Sequence, residues 1–327
     1  MQLRLIALLA LALGLAAGGG RALAGGTKAS GLEVVARNLD NPRKLFIAAD
    51  GAVYVVQAGS GDNKDKKPCL QTCVGDTGSV VKIARGVATT VLTGLGSQSL
   101  PGGRDAEGPV AARPDGSTYI VLMQDMQIDS HGVNQVGLQQ AGDLLSSPAG
   151  DVAPTVIADL ARFEAEHNPD HGAGPGPTYA QPSIDSDPYA FVPFRGGYAV
   201  VDAAGNDLLQ VDPSGKISVL AVFPTHPTAL TRAERKQHRP TAPPVLPVQS
   251  VPSSLAVGPD GALYVGEFTG WPYRIGSALC GGSCRGRSRP CSRPGSRTSP
   301  TSPSTGATCS CSSSPRRGSR TRPRPAS

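Results

Sequence analysis

The 327 residues carry 31 Lys and Arg against 25 Asp and Glu, for a formal charge of +6; Gly (41) and Pro (30) are abundant and aromatics make up only 4%. That balance argues against a helical core and for many short strands joined by turns. The charge is not spread evenly: ten Arg and no Lys, Asp or Glu fall between Gly276 and the end, leaving −4 for the rest, so the body of the protein offers no basic face for nucleic acid.

In chain order, the first element is a leader. Arg4, the apolar run Leu5 to Ala17 and the small-x-small site Ala22-Leu23-Ala24 predict a cleavable signal peptide over residues 1–24. The run is too short to span a bilayer comfortably and is followed by Gly-rich sequence. No later stretch reaches membrane length. The expectation is a secreted, extracellular protein with no transmembrane segment once the signal is removed.

An internal repeat follows. NPRKLFIAADGAVYVV from Asn41 and VPSSLAVGPDGALYVG from Val251 share a Pro, a Leu, an apolar run, Asp-Gly and apolar-Tyr-Val. GPVAARPDGSTYIV from Gly108 and DPYAFVPFRGGYAVV from Asp187 are further copies. Each predicts a strand, a tight turn with Gly where φ is positive, and a second strand. Second hairpins come downstream: Val80 to Ile83 with Val87 to Leu92, Leu144-Leu145 with Thr155 to Ile157, and Leu208 to Val211 with Ile217 to Val222. Two hairpins make a four-stranded antiparallel unit, the blade of a β-propeller. The repeat spacing exceeds the roughly 40–50 residues of a simple blade. The excess lies in polar loops at 59–76, 125–140, 162–186 and 224–247, and long loops on a rigid scaffold are where binding resides. One carries a helical reading, Asp159 to Glu166, stopped by Pro169. Leu32 to Arg37 reads as a first strand that needs a partner in a closing blade.

Cys69 and Cys73 share one polar loop, and in an exported protein this predicts a disulfide. His167 and His171 are four apart, but Pro169 breaks the helix that would align them, so they read as loop residues. Trp271 reads as packing between blades more than as a stacking platform for a ligand.

After Leu279 the chain has no Val, Ile, Leu, Met, Phe, Tyr or Trp, and fourteen Ser, ten Arg and seven Pro fill the segment from Gly276. Such composition cannot offset chain entropy by burial, so 276–327 is predicted to be a disordered tail. Either it is a genuine basic tail or it is the product of a shifted reading frame. The second is preferred, because the break falls inside a blade. The fold expected is therefore all-β: a partial propeller over 25–275, about three and a half blades, with an unclosed ring.

Several of these motifs occur in order in one family. DAAGNDLLQVDPSG from Asp202, the fourth hairpin through Glu267-Phe268-Thr269-Gly270, and Asn168-Pro169-Asp170 with Asp185 to Tyr189 resemble the ScyD/ScyE-type proteins from about Gly31 to Ser277. The resemblance implies a secreted six-bladed propeller of the NHL and SMP-30 kind, without a settled activity. Related SMP-30-type lactonases hold a divalent cation in the central channel with Glu, Asn and Asp, and hard oxygen ligands suit Ca²⁺. Carried onto this chain, the candidate ligands are Asn41, Asp187, Asn206 and Glu267, with Asp202 and Asp207 nearby. Gly108 and Val251 occupy the places equivalent to Asn41 and Asp187, so a full ligand ring is not evident. No Gly-x-Ser-x-Gly elbow supports a serine hydrolase. The leading expectation is a non-catalytic propeller that binds a small molecule or an extracellular protein through its loops. A metal-dependent lactonase-like hydrolase comes second, and a non-functional product of a frameshifted gene third.

Overall fold

The computed structural model describes residues 33–61, 72–124, 140–150, 153–172, 184–238, 243–284 and 287–290. The first sheet comprises β1 (Pro42–Ile47), β2 (Val53–Gln57), β3 (Cys73–Ala84), β4 (Val87–Leu100) and the short β5 (Arg104–Glu107). The second comprises β6 (Pro109–Asp115), β7 (Thr118–Met123), β8 (Asp143–Pro148) and β9 (Thr155–Asp159), and α1 (Leu160–His167) follows it. The third comprises β10 (Pro188–Phe194), β11 (Gly197–Asp202), β12 (Asp207–Val211) and β13 (Ile217–Val222). An insert of β14 (His226–Ala229), α2 (Arg232–His238) and β15 (Val245–Val248) leads to the fourth sheet, β16 (Pro252–Val257), β17 (Leu263–Glu267), β18 (Leu279–Cys284) and β19 (Arg287–Pro290). The chain is a β-propeller of four antiparallel blades, each running in sequence order.

The turns form as their residues dictate. Asp50 Oδ1 accepts from the Ala52 amide at 3.0 Å and Asp260 Oδ1 from the Ala262 amide at 3.1 Å, while Gly51 and Gly261 hold φ of 80° and 76°. In the third blade, Asp212 Oδ1 accepts from the Ser214 amide, the Ser214 hydroxyl and the Lys216 amide. Successive side chains then point to opposite faces, and both faces are buried between neighbouring blades. Along β11, Val200 packs with Leu122, Leu144 and Phe191 toward the second blade, whereas Ala199 and Val201 pack with Leu263 and Val265 of the fourth. Tyr54, Val56, Val80, Val121 and Met123 fill the wedge between the first two blades. Each fully buried Val or Leu contributes about 1.5–3 kcal/mol of transfer free energy.

Three expectations are corrected. Residues 33–37 form no strand, and Val34 and Val35 are exposed. The fourth blade has four strands, since β18 pairs with β17 from Leu263↔Ser283 to Glu267↔Leu279, and β19 pairs with β18. The boundary drawn at residue 275 thus falls inside that blade, because main-chain pairing needs no apolar side chains. The segment 224–247 is not simply a loop: β14 and β15 pair from His226↔Val248 to Ala229↔Val245. The helical reading at 159–166 corresponds to α1, which Asp159 caps by accepting from the Arg162 amide at 2.8 Å, and it ends at Asn168 in the left-handed conformation. Residues 291–327 and the leader lie outside the described residues, as does Cys69.

Candidate functional site

One main-chain device recurs in every blade. The carbonyl just before the innermost strand accepts from the amide just after the second: Ala58 to Asn41 at 3.0 Å, Gln124 to Gly108, Ala203 to Asp187 and Phe268 to Val251 at 2.9 Å each. A bulge follows each opening proline, at Pro42, Pro109, Pro188 and Pro252. Opposite three of those prolines stand Gln57, Asp202 and Glu267; in the second blade the place is taken by Met123, with Gln124 next to it. Gln57, Gln124, Asp202 and Glu267 are all buried, so one end of the propeller carries polar side chains that must find partners.

Those partners decide what the four sequence-predicted metal ligands do. Asn41 donates through Nδ2 to the Gly59 carbonyl at 2.8 Å and to Asp40. Asp187 is half-buried and accepts from Gln124 Nε2 at 3.1 Å. Burial first, then the neighbouring carboxylates of Asp202, Glu107 and Asp185, push its carboxyl up to about 8, against the pull of the Gln124 bond. Asn206 donates to Asp170 Oδ2 at 2.8 Å and to the Ala204 carbonyl at 2.9 Å, and its Oδ1 accepts from the Ser250 hydroxyl and the Val251 amide. Glu267 Oε2 lies 2.8 Å from His226 Nε2. The four are held by four separate sets of partners. Among the described residues, no three His, Cys, Asp or Glu side chains are grouped to hold a metal ion. Asp202 is also engaged, accepting from the Ser186 hydroxyl and the Asp187, Ala204 and Gly205 amides.

The His226–Glu267 pair stands at a cavity. A space of about 210 Å³ between the β14–β15 insert and the fourth blade is lined by His226, Thr228, Val248, Thr269, Pro272 and Arg274, among others. Trp271 packs with Leu230, Leu246 and Val248, the last of which also lines the cavity. Arg274 fixes the rim: it donates to Glu234 of α2 at 2.7 Å and to the Ala229 carbonyl at 2.6 Å, and it holds the Glu234 carboxyl down at about 2. Thr269 Oγ1 and Ser277 Oγ lie 2.8 Å apart in the same wall. Glu267 is 8% exposed. Nε2 faces the carboxylate, so Nδ1 is the ring nitrogen outside that contact. The site thus combines an apolar lining, hydroxyls and an oriented imidazole, a combination that can bind a small polar-ended molecule or take up a proton.

His226 was not singled out in the sequence, because two prolines, at 224 and 227, make its surroundings read as loop. Glu164 was also missed, although the helical reading places it four residues after Leu160, on the face that both bury. Cys73 opens β3, is 5% exposed and pairs with Ser99 in the ladder.

No protein-family model matches the chain, and no curated protein matches it. Among solved structures it is similar to a catalytically inactive virginiamycin B lyase from Staphylococcus aureus with quinupristin, at 13% identity over 80% of this chain and 59% of that one, with a TM-score of 0.39. It is also similar to an oxidoreductase described as a glucose dehydrogenase from Thermus thermophilus, at 18% identity over 72% of this chain and 63% of that one, with a TM-score of 0.32. The chain thus spans less than two thirds of the length of each. The class defined here is the β-propeller.

Proposed function

We propose that this is an exported propeller of the ScyD/ScyE kind that binds a small ligand without transforming it, in the cavity beside the β14–β15 insert. The observation that carries the reading is the buried Glu267 orienting His226 at the wall of that cavity. Export rests on the leader at 1–24. In an oxidising compartment, Cys73 bonds to Cys69 and fixes the start of β3. The partner is a small molecule or a segment of an extracellular protein, and the body of the chain does not engage nucleic acid. The pairing of β18 with β17 supports counting residues 279–290 with the fourth blade, against a wholly foreign tail.

A second reading is favoured by the same pair: an imidazole with a carboxylate on one nitrogen can act as a general base in hydrolysis, without the Ca²⁺ ring of the SMP-30-type lactonases. Ligand-observed NMR with a panel of small lactones and their hydroxy acids separates the two. Binding expects saturation transfer to panel members, weakened at least tenfold in His226→Gln, with no turnover. Turnover lost in His226→Gln establishes the hydrolase. Neither transfer nor turnover in the unaltered protein overturns both.

A further inference from the structure

Between α1, the turn after it and the start of β12, five acidic residues act on one another: Glu164, Asp170, Asp185, Asp202 and Asp207. Asp202 is satisfied by a hydroxyl and three amides, and Asp170 accepts from the Gly172 amide at 2.7 Å and from Asn206 Nδ2 at 2.8 Å. Asp185 is engaged, but its Oδ1 is buried without a hydrogen bond, and Glu164 and Asp207 share that condition more fully. Asp207 is 0% exposed, and neither of its carboxyl oxygens has a hydrogen-bond partner. Glu164 is 2% exposed, and its Oε1 has none.

The charges bearing on the two are those of other carboxylates: Asp202, Asp170 and Asp185 on Glu164, and Asp202, Glu164 and Asp170 on Asp207. The basic residues of α1 are occupied elsewhere, since Arg162 is paired with Glu166 at 2.8 Å and His167 is stacked on Phe163 with centroids 4.3 Å apart. Gly205 packs closely against this cluster, and only a residue without a side chain fits there. A Cβ on Gly205 would lie 3.2 Å from both Glu164 Oε2 and Asp202 Cγ, closer than such contacts ordinarily are. Burying a carboxylate without a partner costs several kcal/mol, and setting two together adds their repulsion.

We propose that Glu164 and Asp207 bind a hard divalent cation, of the Ca²⁺ or Mg²⁺ class, which ties α1 to the third blade. With no third His, Cys, Asp or Glu among the described residues placed to ligate it, the ion completes its shell with main-chain or water oxygens, as cations held by only one or two carboxylates do. This site uses none of the four ligands read from the sequence and does not depend on the cavity at His226.

The test uses the full chain, stripped with chelator and dialysed, then titrated with CaCl₂ or MgCl₂ against NaCl of equal ionic strength. One of the divalent salts is expected to raise the thermal midpoint by roughly 5–10 °C at a hundredfold excess over Kd, with one ion per chain by equilibrium dialysis. Glu164→Gln and Asp207→Asn are expected to stay folded, because each removes a buried charge, and to lose both the shift and the bound ion. Glu166→Gln, on the exposed face of α1, keeps them. If neither salt binds, the two carboxyls are held neutral by protons and the proposal fails. It also fails if the variants bind the ion as the unaltered protein does.

Discussion

Lys44, on the innermost strand of the first blade, donates to the Ser253 carbonyl on the innermost strand of the fourth at 2.6 Å, so a single long side chain joins the first blade to the last. The same ammonium lies 4.3 Å from the centroid of the Tyr189 ring of the third blade. Burial lowers its pKa from 10.5 to about 8, although Asp187 pulls it back up. Between those two pH values the unfolded chain holds the proton that the folded chain has lost. Stability therefore rises with pH from 8 to 10.5. Lys44→Met removes that rise, worth roughly 2 kcal/mol after discounting for partial exposure. Urea unfolding at several pH values, compared between the two proteins, isolates Lys44 from the tyrosines that titrate nearby.

Asp187 has the opposite sign. Its carboxyl is raised from 3.8 to about 8. From about pH 4 to 8 the folded chain holds a proton that the unfolded chain has released, so stability falls as pH rises through that window. Asp187→Asn keeps a side-chain oxygen for Gln124 and removes the titration. The variant is expected to match the unaltered protein near pH 4 and to exceed it by pH 8, again by urea midpoint. A steeper fall in the variant would contradict this account.

The hairpins were legible because their turns are local chemistry. Asp50-Gly51 and Asp260-Gly261 set both the register and the alternation of β1–β2 and β16–β17, and nothing distant overrides them. The outer half of the fourth blade was not legible. β18 and β19 are made almost wholly of Gly, Ser, Arg and Cys, which carry no strand pattern, and they exist because the edge of β17 offers main-chain partners. The insert was hidden for a similar reason: Pro227 and Pro247 face each other in β14 and β15, so both strands read as loops. At the site, Glu267 could be picked as a carboxylate in the right register, but its partner lies 41 residues upstream and only the fold brings His226 to it. The oxygens of Asn206 and Asp187 looked like ligands, yet which oxygens are left over depends on amides and side chains that the spacing does not reveal.

The His226–Glu267 pair predicts an asymmetric response to mutation. His226→Ala leaves a buried carboxylate without its donor and is expected to cost about 1–3 kcal/mol. Glu267→Gln keeps the hydrogen bond and is expected to cost less than half as much. Nitrogen NMR of the histidine ring gives the second readout: the unaltered protein is expected to show the Nε2–H tautomer at neutral pH, and Glu267→Gln a mixture of the two. Equal costs for the two variants, with an unchanged tautomer, would show that the pair is not coupled.

Asn206 joins three pieces of chain through one amide. Its nitrogen holds Asp170 of the turn after α1, its oxygen receives the Ser250 hydroxyl and the Val251 amide ahead of the fourth blade, and its own backbone is left-handed at φ 51°. Asn is among the few side-chain-bearing residues that adopt that conformation at low cost. Asn206→Gly therefore keeps the backbone and loses the bonds, and is expected to cost roughly 2–3 kcal/mol for buried groups left unpaired. Asn206→Asp keeps an acceptor for Ser250 and Val251 but turns the donor to Asp170 into a second carboxylate beside it. It should therefore be the more damaging change above about pH 5 and should recover on acidification, as protonation restores a donor. Thermal midpoints of both variants across about pH 4 to 7 decide the matter: if the Asn206→Asp protein behaves as the Asn206→Gly protein does at every pH, the bond to Asp170 contributes nothing.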